Sequence, residues 1–383
     1  MNQIREEIME KRCIFHIPNY LDPNRASASQ IRPKKMMNAF EQIGYKVDIV
    51  QGYGRNRKRI IEEIKRNIDN GVKYEFLYSE SSTAPTLLTE KHHFPTYPFL
   101  DFGFFKYIKD HGIKIGLFYR DIYWKFPEYK KSVKGIKYHA AILMYCYDLM
   151  KYKDLVDKLY LPSIEGYKYI KREIPFQIIG ELPPGCECNR EQAEGRGENK
   201  DTITLLYVGG LGEHYRIHEI LKAVSEIPKI ELNICCREDE WEQEKEFYSK
   251  YLKENIHICH EKEKGLEKLY ERTDIGLVYF EPSSYRRMAM PYKTFEYLEH
   301  GLPVIASSET AIGYFIEKKN IGWSIKYDAN ELKKMLLRII NNYNEILEKR
   351  EKCKLEISRN TWMQRAKRVE KDLCQTNEKE QVV

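Results

Sequence analysis

No apolar run in this chain approaches the roughly 18 to 20 residues that span a bilayer, so no membrane-crossing helix is expected. The sequence contains no D-x-D, no H-E-x-x-H and no complete P-loop, and so lacks three common signatures of metal or nucleoside-triphosphate chemistry. No segment repeats with a period of 20 to 50 residues, which argues against a solenoid or propeller. Nine cysteines are present, but their spacing suits neither a disulfide framework nor a zinc site. Cys186 and Cys188 form a C-x-C without a second ligand pair, whereas Cys13, Cys146, Cys235, Cys236 and Cys259 lie in apolar segments and read as small core residues. The opening MNQIREEIMEKR is charged and does not resemble a signal peptide, so a cytoplasmic protein is expected.

What remains is a chain of 383 residues, long enough for two domains, with 42% hydrophobic and 13% aromatic residues. The net charge of +6 is unevenly spread. Residues 1–180 carry 31 Lys and Arg against 21 Asp and Glu, and the remainder carries 33 against 37. A basic first half implies an anionic surface nearby. Without zinc-finger spacing, an RNA-recognition signature or a continuous basic helix, a membrane face is favoured over nucleic acid.

Short apolar runs alternate with longer periodic ones, the pattern of parallel α/β units. Strands are expected at CIFHI, KVDIV, YEFLYSE, KIGLFYRD, KLYLPS and FQIIG in the first half. The pattern breaks at Pro183, Pro184 and Gly185 and restarts at TITLLYVGGL, with further strands at IELNICC, IHICHE, IGLVYF, PVIAS and GWSI. The expected fold class is therefore α/β, with two doubly wound sheets facing across a cleft. The expected boundaries are a first domain over 1–184, a linker over 185–200, a second domain over 201–357, a helix over 358–374 that crosses back, and a disordered tail over 375–383.

The most informative stretch is YRRMAMPYKTFEYLEHGLPVI, residues 285–305. A strand ending at Phe280 feeds a loop, and a helix begins near Tyr292 and stops at Gly301. A helix amino end at the carboxyl edge of a sheet presents backbone N–H groups and a positive dipole, which suits a pyrophosphate. Lys293 adds a point charge in the first turn, and Glu296 is placed to accept hydrogen bonds from two ribose hydroxyls.

The segment P-x-K-x-x-E-Y-L-x-x-G-x-P-V-I, from Pro291 to Ile305, resembles the retaining GT-B glycosyltransferases, particularly the family 4 group and related bacterial capsule and surface-polysaccharide enzymes. The resemblance implies a GT-B fold of two Rossmann-like domains, with a UDP- or GDP-sugar as donor held by the second domain. It implies Glu296 at the ribose, the loop with Met290 and Lys293 at the pyrophosphate, and Gly209 and Gly210 of LLYVGGL close to the phosphates. Many members carry another acid eight residues before the glutamate, where this chain has Met288. The basic residue usual after the paired glycines is also displaced, leaving Arg216 as its substitute.

On the acceptor side, FYRDIYW resembles a His-Asp element of relatives, with Asp121 as the retained acid and Arg120 in the histidine's place. Asp121, the catalytic candidate, then orients an acceptor hydroxyl or acts as a weak base, or else caps the following segment. Asn24, Arg25 and Ser27, in the loop after the first strand, are further acceptor candidates. The aromatic stretch 94–107 reads as core, a sugar platform or a membrane-dipping surface. SRNTWMQRAKRVEKDL resembles the family's last helix, carrying Trp362. The resemblance implies metal-independent transfer with retention to a lipid-linked saccharide acceptor, and no cofactor beyond the nucleotide-sugar. The alternatives are a nucleotide-sugar 2-epimerase and a non-catalytic GT-B partner subunit.

Overall fold

The structure is a computed structural model that describes residues 10–22, 27–188, 201–212 and 215–374. Asn24, Arg25, most of the expected linker and the expected tail lie outside the described residues. The chain forms two compact units, Met1–Pro183 with Trp362–Val383, and Pro184–Thr361.

Six parallel strands build the first unit: β1 (Arg12–His16), β2 (Lys46–Val50), β3 (Phe76–Glu80), β4 (Lys114–Phe118), β5 (Lys158–Leu161) and β6 (Ile179–Glu181), in the order β2-β1-β3-β4-β5-β6. Cys13 of β1 pairs with Val47 on one side and Phe76 on the other. β3 is buried along its whole length, as expected of an inner strand covered on both faces, whereas the edge strand β2 is mostly half-buried. The helices Ala28–Gln42 and Trp362–Cys374 pack on each other, and the latter lies against β3 and β4. Glycine at 116 allows that approach, because a Cβ there would stand 2.9 Å from Leu373 Cδ1. The helices Gly54–Asp69, Leu100–Asp110 and Gly135–Leu155 form a second group.

The second unit repeats the plan with β7 (Ile203–Val208), β8 (Ile230–Cys235), β9 (Ile256–Cys259), β10 (Ile275–Val278), β11 (Val304–Ser307) and β12 (Gly322–Ile325), in the order β12-β11-β10-β7-β8-β9, all parallel. Alternation along β7 divides the core. Ile203, Leu205 and Tyr207 pack with Ile220, Leu332 and Leu336, while Leu206 faces the opposite cluster with Phe295, Leu298 and Ile312.

Two local expectations are corrected. Residues Phe176–Ile178 form a 3-10 turn after Pro175, and β6 begins only at Ile179. Cys146 is exposed on the helix Gly135–Leu155, because its apolar neighbours continue around the outer face.

On that same helix Asp148 is 3% exposed and accepts the Thr86 N–H at 2.8 Å. Burial raises its carboxyl pKa from 3.8 to about 7. With the folded value above the unfolded one, its stabilising contribution is full below pH 3.8 and is lost as pH rises through 7. Asp148→Asn keeps an acceptor for Thr86. It is expected to gain on wild type between pH 5 and 8, by up to about 4 kcal/mol, read from urea midpoints. A constant difference across that range would count against this reading.

Candidate functional site

In the second sheet the chain runs outward from β7 to β8 and β9, then returns to β10 and continues to β11 and β12 on the other side. The neighbours β7 and β10 therefore mark the switch point, where an open α/β sheet leaves a crevice beyond the strands' carboxyl ends. Gly209 and Gly210 follow β7 at this point. Gly209 donates its N–H to the Cys235 carbonyl at 3.1 Å, and the Tyr207 hydroxyl donates to the Gly210 carbonyl at 2.7 Å. Glu240 Oε2 accepts the Leu211 N–H at 3.0 Å and would stand 3.1 Å from a Cβ on Gly210. The turn is thus pinned by the Cys235 carbonyl and by the side chains of Tyr207 and Glu240, with little room for a Cβ at Gly210.

On the other side of the switch point, β10 leads through a short turn at Arg286–Met288 to the helix Tyr292–Glu299. Its N-cap is Pro291, whose own side chain makes no capping hydrogen bond. The helix stops where Gly301 takes φ +65°, with Leu302 N–H returning to the Tyr297 carbonyl. Tyr297 fixes the helix against β7. Its hydroxyl accepts the Val208 N–H at 3.0 Å and donates to the Leu206 carbonyl at 3.1 Å, while its ring occupies the space above Gly276.

Lys293 and Glu296 meet each other on this helix as an ion pair, and Tyr270 OH donates to Glu296 Oε2 at 3.5 Å. Both side chains are part-exposed, so the pair is open to exchange for a ligand. Arg216 packs its guanidinium 5.1 Å from the centroid of the Phe247 ring. A different arginine occupies the switch point. The guanidinium of Arg286 lies 4.1 Å from the Tyr215 ring centroid and 4.8 Å from that of Phe280, residues that follow β7 and β10. The doubled arginine of YRRMAM was the available signal for it. Met290 is buried in the core cluster with Phe295 and Phe280, and Met288 is also buried.

In the first unit, Asp121 Oδ1 accepts the Tyr123 N–H at 2.8 Å, the geometry of a local cap. Arg120 turns its guanidinium onto the fully buried Glu80 at 2.9 Å and onto the Ser81 carbonyl at 3.2 Å. Arg32 Nε stands 3.2 Å from the other oxygen of Glu80, with its guanidinium 3.6 Å from the Phe118 ring centroid. Burial and the second guanidinium lower the Arg120 pKa, and the Glu80 carboxylate opposes them. Ser27 is the N-cap of the helix Ala28–Gln42, with its hydroxyl 2.9 Å from that of Ser29. Of the aromatic stretch, Phe102, Phe104 and Phe105 are core, while Phe94 and Phe99 are exposed.

A buried polar line unseen in the sequence crosses the same unit. His16 Nδ1 is 2.9 Å from Ser79 Oγ, and its Nε2 is 3.0 Å from Asp101, which Arg57 grips with two hydrogen bonds of 2.9 and 3.0 Å. All four residues are at most 4% exposed, so this serine, histidine and aspartate form a structural brace out of reach of a substrate.

Among solved structures the chain is similar to HepE from Anabaena in complex with UDP and glucose, with 10% identity over 95% of this chain and 99% of that one and a TM-score of 0.63. It is similar to a glycosyltransferase from Rickettsia africae, with 13% identity, coverages of 96% and 100%, and a TM-score of 0.63. It is also similar to WaaG, a glycosyltransferase of lipopolysaccharide biosynthesis, with 13% identity, coverages of 95% and 100%, and a TM-score of 0.58. No curated protein matches the sequence. The chain has the GT-B fold. Residues 189–358 match the family Glycosyl transferases group 1.

The Tyr297 hydroxyl joins the candidate helix to β7, so Tyr297→Phe deprives the half-buried Val208 N–H of this acceptor. A loss of about 1 to 3 kcal/mol is expected in urea unfolding; an unchanged midpoint would show that Tyr297 holds the helix by packing alone.

Proposed function

We propose that this protein is a glycosyltransferase that moves a sugar from a UDP- or GDP-sugar to a saccharide acceptor, lipid-linked, in synthesis of a bacterial surface polysaccharide. The observation that carries the reading is the amino end of the helix Tyr292–Glu299 beside the switch point of the second sheet, with Lys293 and Glu296 in its first turns. The helix dipole and Lys293 would meet the diphosphate as negative charge grows on the leaving group. Glu296 would leave Lys293 to take the ribose hydroxyls, and Arg286 adds a second cation. HepE, seen with UDP and glucose, supports a uridine donor. Transfer is proposed to retain the anomeric configuration and to need no metal, on the resemblance of residues 291–305. Asp121 is the proposed acid facing the acceptor, with Arg120 and Ser27 near it. A second reading, a non-catalytic partner subunit, draws on Met288, a buried apolar side chain where relatives carry an acid.

The membrane part of the proposal has its own support. On the helix Gly135–Leu155, Ile136, Leu143 and Met150 recur every seven residues along one face and are 86%, 71% and 50% exposed. Exposed Lys130, Lys131, Lys134 and Lys137 surround its amino end. An apolar stripe bordered by cations fits an anionic lipid surface. No helix of the described residues is long and apolar enough to cross a membrane. We place the protein in the cytoplasm, on the inner face of that membrane.

Purified protein is expected to bind UDP or GDP and to hydrolyse the matching nucleotide-sugar slowly; absence of both favours the partner subunit. Lys293→Ala and Glu296→Ala should each weaken nucleotide binding by about 1.5 to 3 kcal/mol in calorimetry without lowering the melting temperature. Wild-type affinity in both variants would remove this site. In flotation, vesicles with anionic lipid should carry the protein less as salt rises, and the combined Ile136→Asn, Leu143→Asn and Met150→Asn variant should remain below. Equal flotation with neutral vesicles would sink the membrane reading.

A further inference from the structure

A recess of about 410 Å³ opens on the first unit, lined by Tyr20, Gly52, Tyr53, Arg55, Asn56 and Arg59. It lies beyond the carboxyl ends of β1 and β2, since Tyr20 follows the first strand and Gly52 and Tyr53 follow the second. The Tyr20 and Tyr53 rings stack, with centroids 5.7 Å apart and planes inclined by 14°, yet are 50% and 38% exposed. Ordinary core aromatics are covered, and this pair is held together in the open. Aromatic faces exposed beside hydrogen-bonding groups are suited to the C–H face of a sugar ring.

The charge of the recess is one-sided. Arg55 and Arg59 are four residues apart on the helix Gly54–Asp69 and so project from the same side, both exposed. Asn56 offers an amide, with its Nδ2 donating to the Gln51 carbonyl at 3.1 Å. Among the described residues no carboxylate lines the wall; Glu63, one turn further along the helix, stands 3.7 Å from Arg59.

The walls are rigidly set from beneath. Arg57, 2% exposed, donates to the Pro18 carbonyl at 2.9 Å and the Gly52 carbonyl at 2.5 Å while it grips Asp101. Gly52 takes φ +102° and donates to the Asn19 carbonyl, and the Gly54 N–H is held by Glu90. One buried guanidinium thus ties both tyrosine-bearing loops to the sheet, which reduces the ordering cost of binding.

We infer that this recess binds a saccharide bearing an anionic group, with the sugar ring on the tyrosine pair and the oxyanion, a carboxylate or a phosphate, on Arg55 and Arg59. The inference rests on the transferase reading and gives it a class of acceptor. A guanidinium meets either oxyanion through paired N–H donors, and two of them discriminate against a neutral sugar.

The full chain is titrated by calorimetry with tetragalacturonate, with neutral maltotetraose, and with glucose 6-phosphate against glucose. At least one acidic ligand is expected to bind ten-fold or more tightly than its neutral counterpart, with an advantage that shrinks as salt is raised; which acid does so assigns carboxylate or phosphate. Combined Arg55→Ala and Arg59→Ala should abolish that advantage and leave nucleotide binding and nucleotide-sugar hydrolysis unchanged. Tyr20→Ala should weaken acidic and neutral sugars alike. Equal affinity for acidic and neutral ligands, no saccharide binding at all, or an undiminished preference in the double arginine variant overturns the inference. Hydrolysis that persists in those cases leaves the transferase reading standing, and acidic-sugar binding without nucleotide binding does the reverse.

Discussion

Every strand pairing in both sheets is parallel, and the chemistry of the molecule follows from that constraint. A parallel pair needs a crossover through a helix, so each strand delivers its chain to the same edge of its sheet. Where the winding direction reverses, two neighbouring strands send their chains to opposite faces and leave a gap. In the second unit that gap separates the turn at Gly209 and Gly210 from the helix that begins at Tyr292. Neither feature needs a special conformation to be there. The sheet order places both, and the sequence decorates them with Arg286, Lys293 and Glu296.

Parallel sheets are buried on both faces, so charge at their strand ends must be paired inside the protein. Among the described residues, three such pairings lie beside the ends of strands. Asp101 with Arg57 and His16 braces the loops after β1 and β2. Glu80, at the end of β3, is shared by Arg120 and Arg32. In the second unit Asp274, just before β10, accepts from Arg350 at 2.8 Å and from the Thr204 N–H at 2.9 Å. Such pairs contribute little net stability once desolvation is counted, and losing one partner is costly. Their consequence is geometric: each fixes where a strand meets its loop.

The sequence made the punctuation legible. Pro291 and Gly301 bracket a helix that runs from Tyr292 to Glu299, and the alternation of apolar runs located eleven of the strands closely, because burial on both faces leaves a strong pattern. Periodicity is a one-dimensional signal, and it failed where partners come from afar. Nothing near Arg120 announces that Glu80, forty residues away, will hold it. The sequence pointed to Arg216, and only the fold brings Arg286 to the rings of Tyr215 and Phe280. Cys146 sits in an apolar run whose outer face is uncovered, and an apolar run read in one dimension does not say which face that is.

The two units hold their candidate sites by different means. In the second, backbone groups line the site and tyrosine hydroxyls hold them: Tyr207 at the Gly210 carbonyl, and Tyr297 between the backbone groups of 206 and 208. In the first, it is set by buried side-chain charge acting on carbonyls, with Arg57 reaching Pro18 and Gly52. A backbone cradle is indifferent to most substitutions around it and suits a ligand group that stays the same, such as the diphosphate of a nucleotide-sugar. A recess walled by Tyr20, Tyr53, Arg55 and Arg59 over a buried brace has the opposite property. Its exposed side chains can be replaced one at a time while Arg57 keeps the loops in place, so specificity can change there without disturbing the fold. On the proposed function this is the division a transferase requires, with a constant donor grip in one unit and an adjustable acceptor surface in the other.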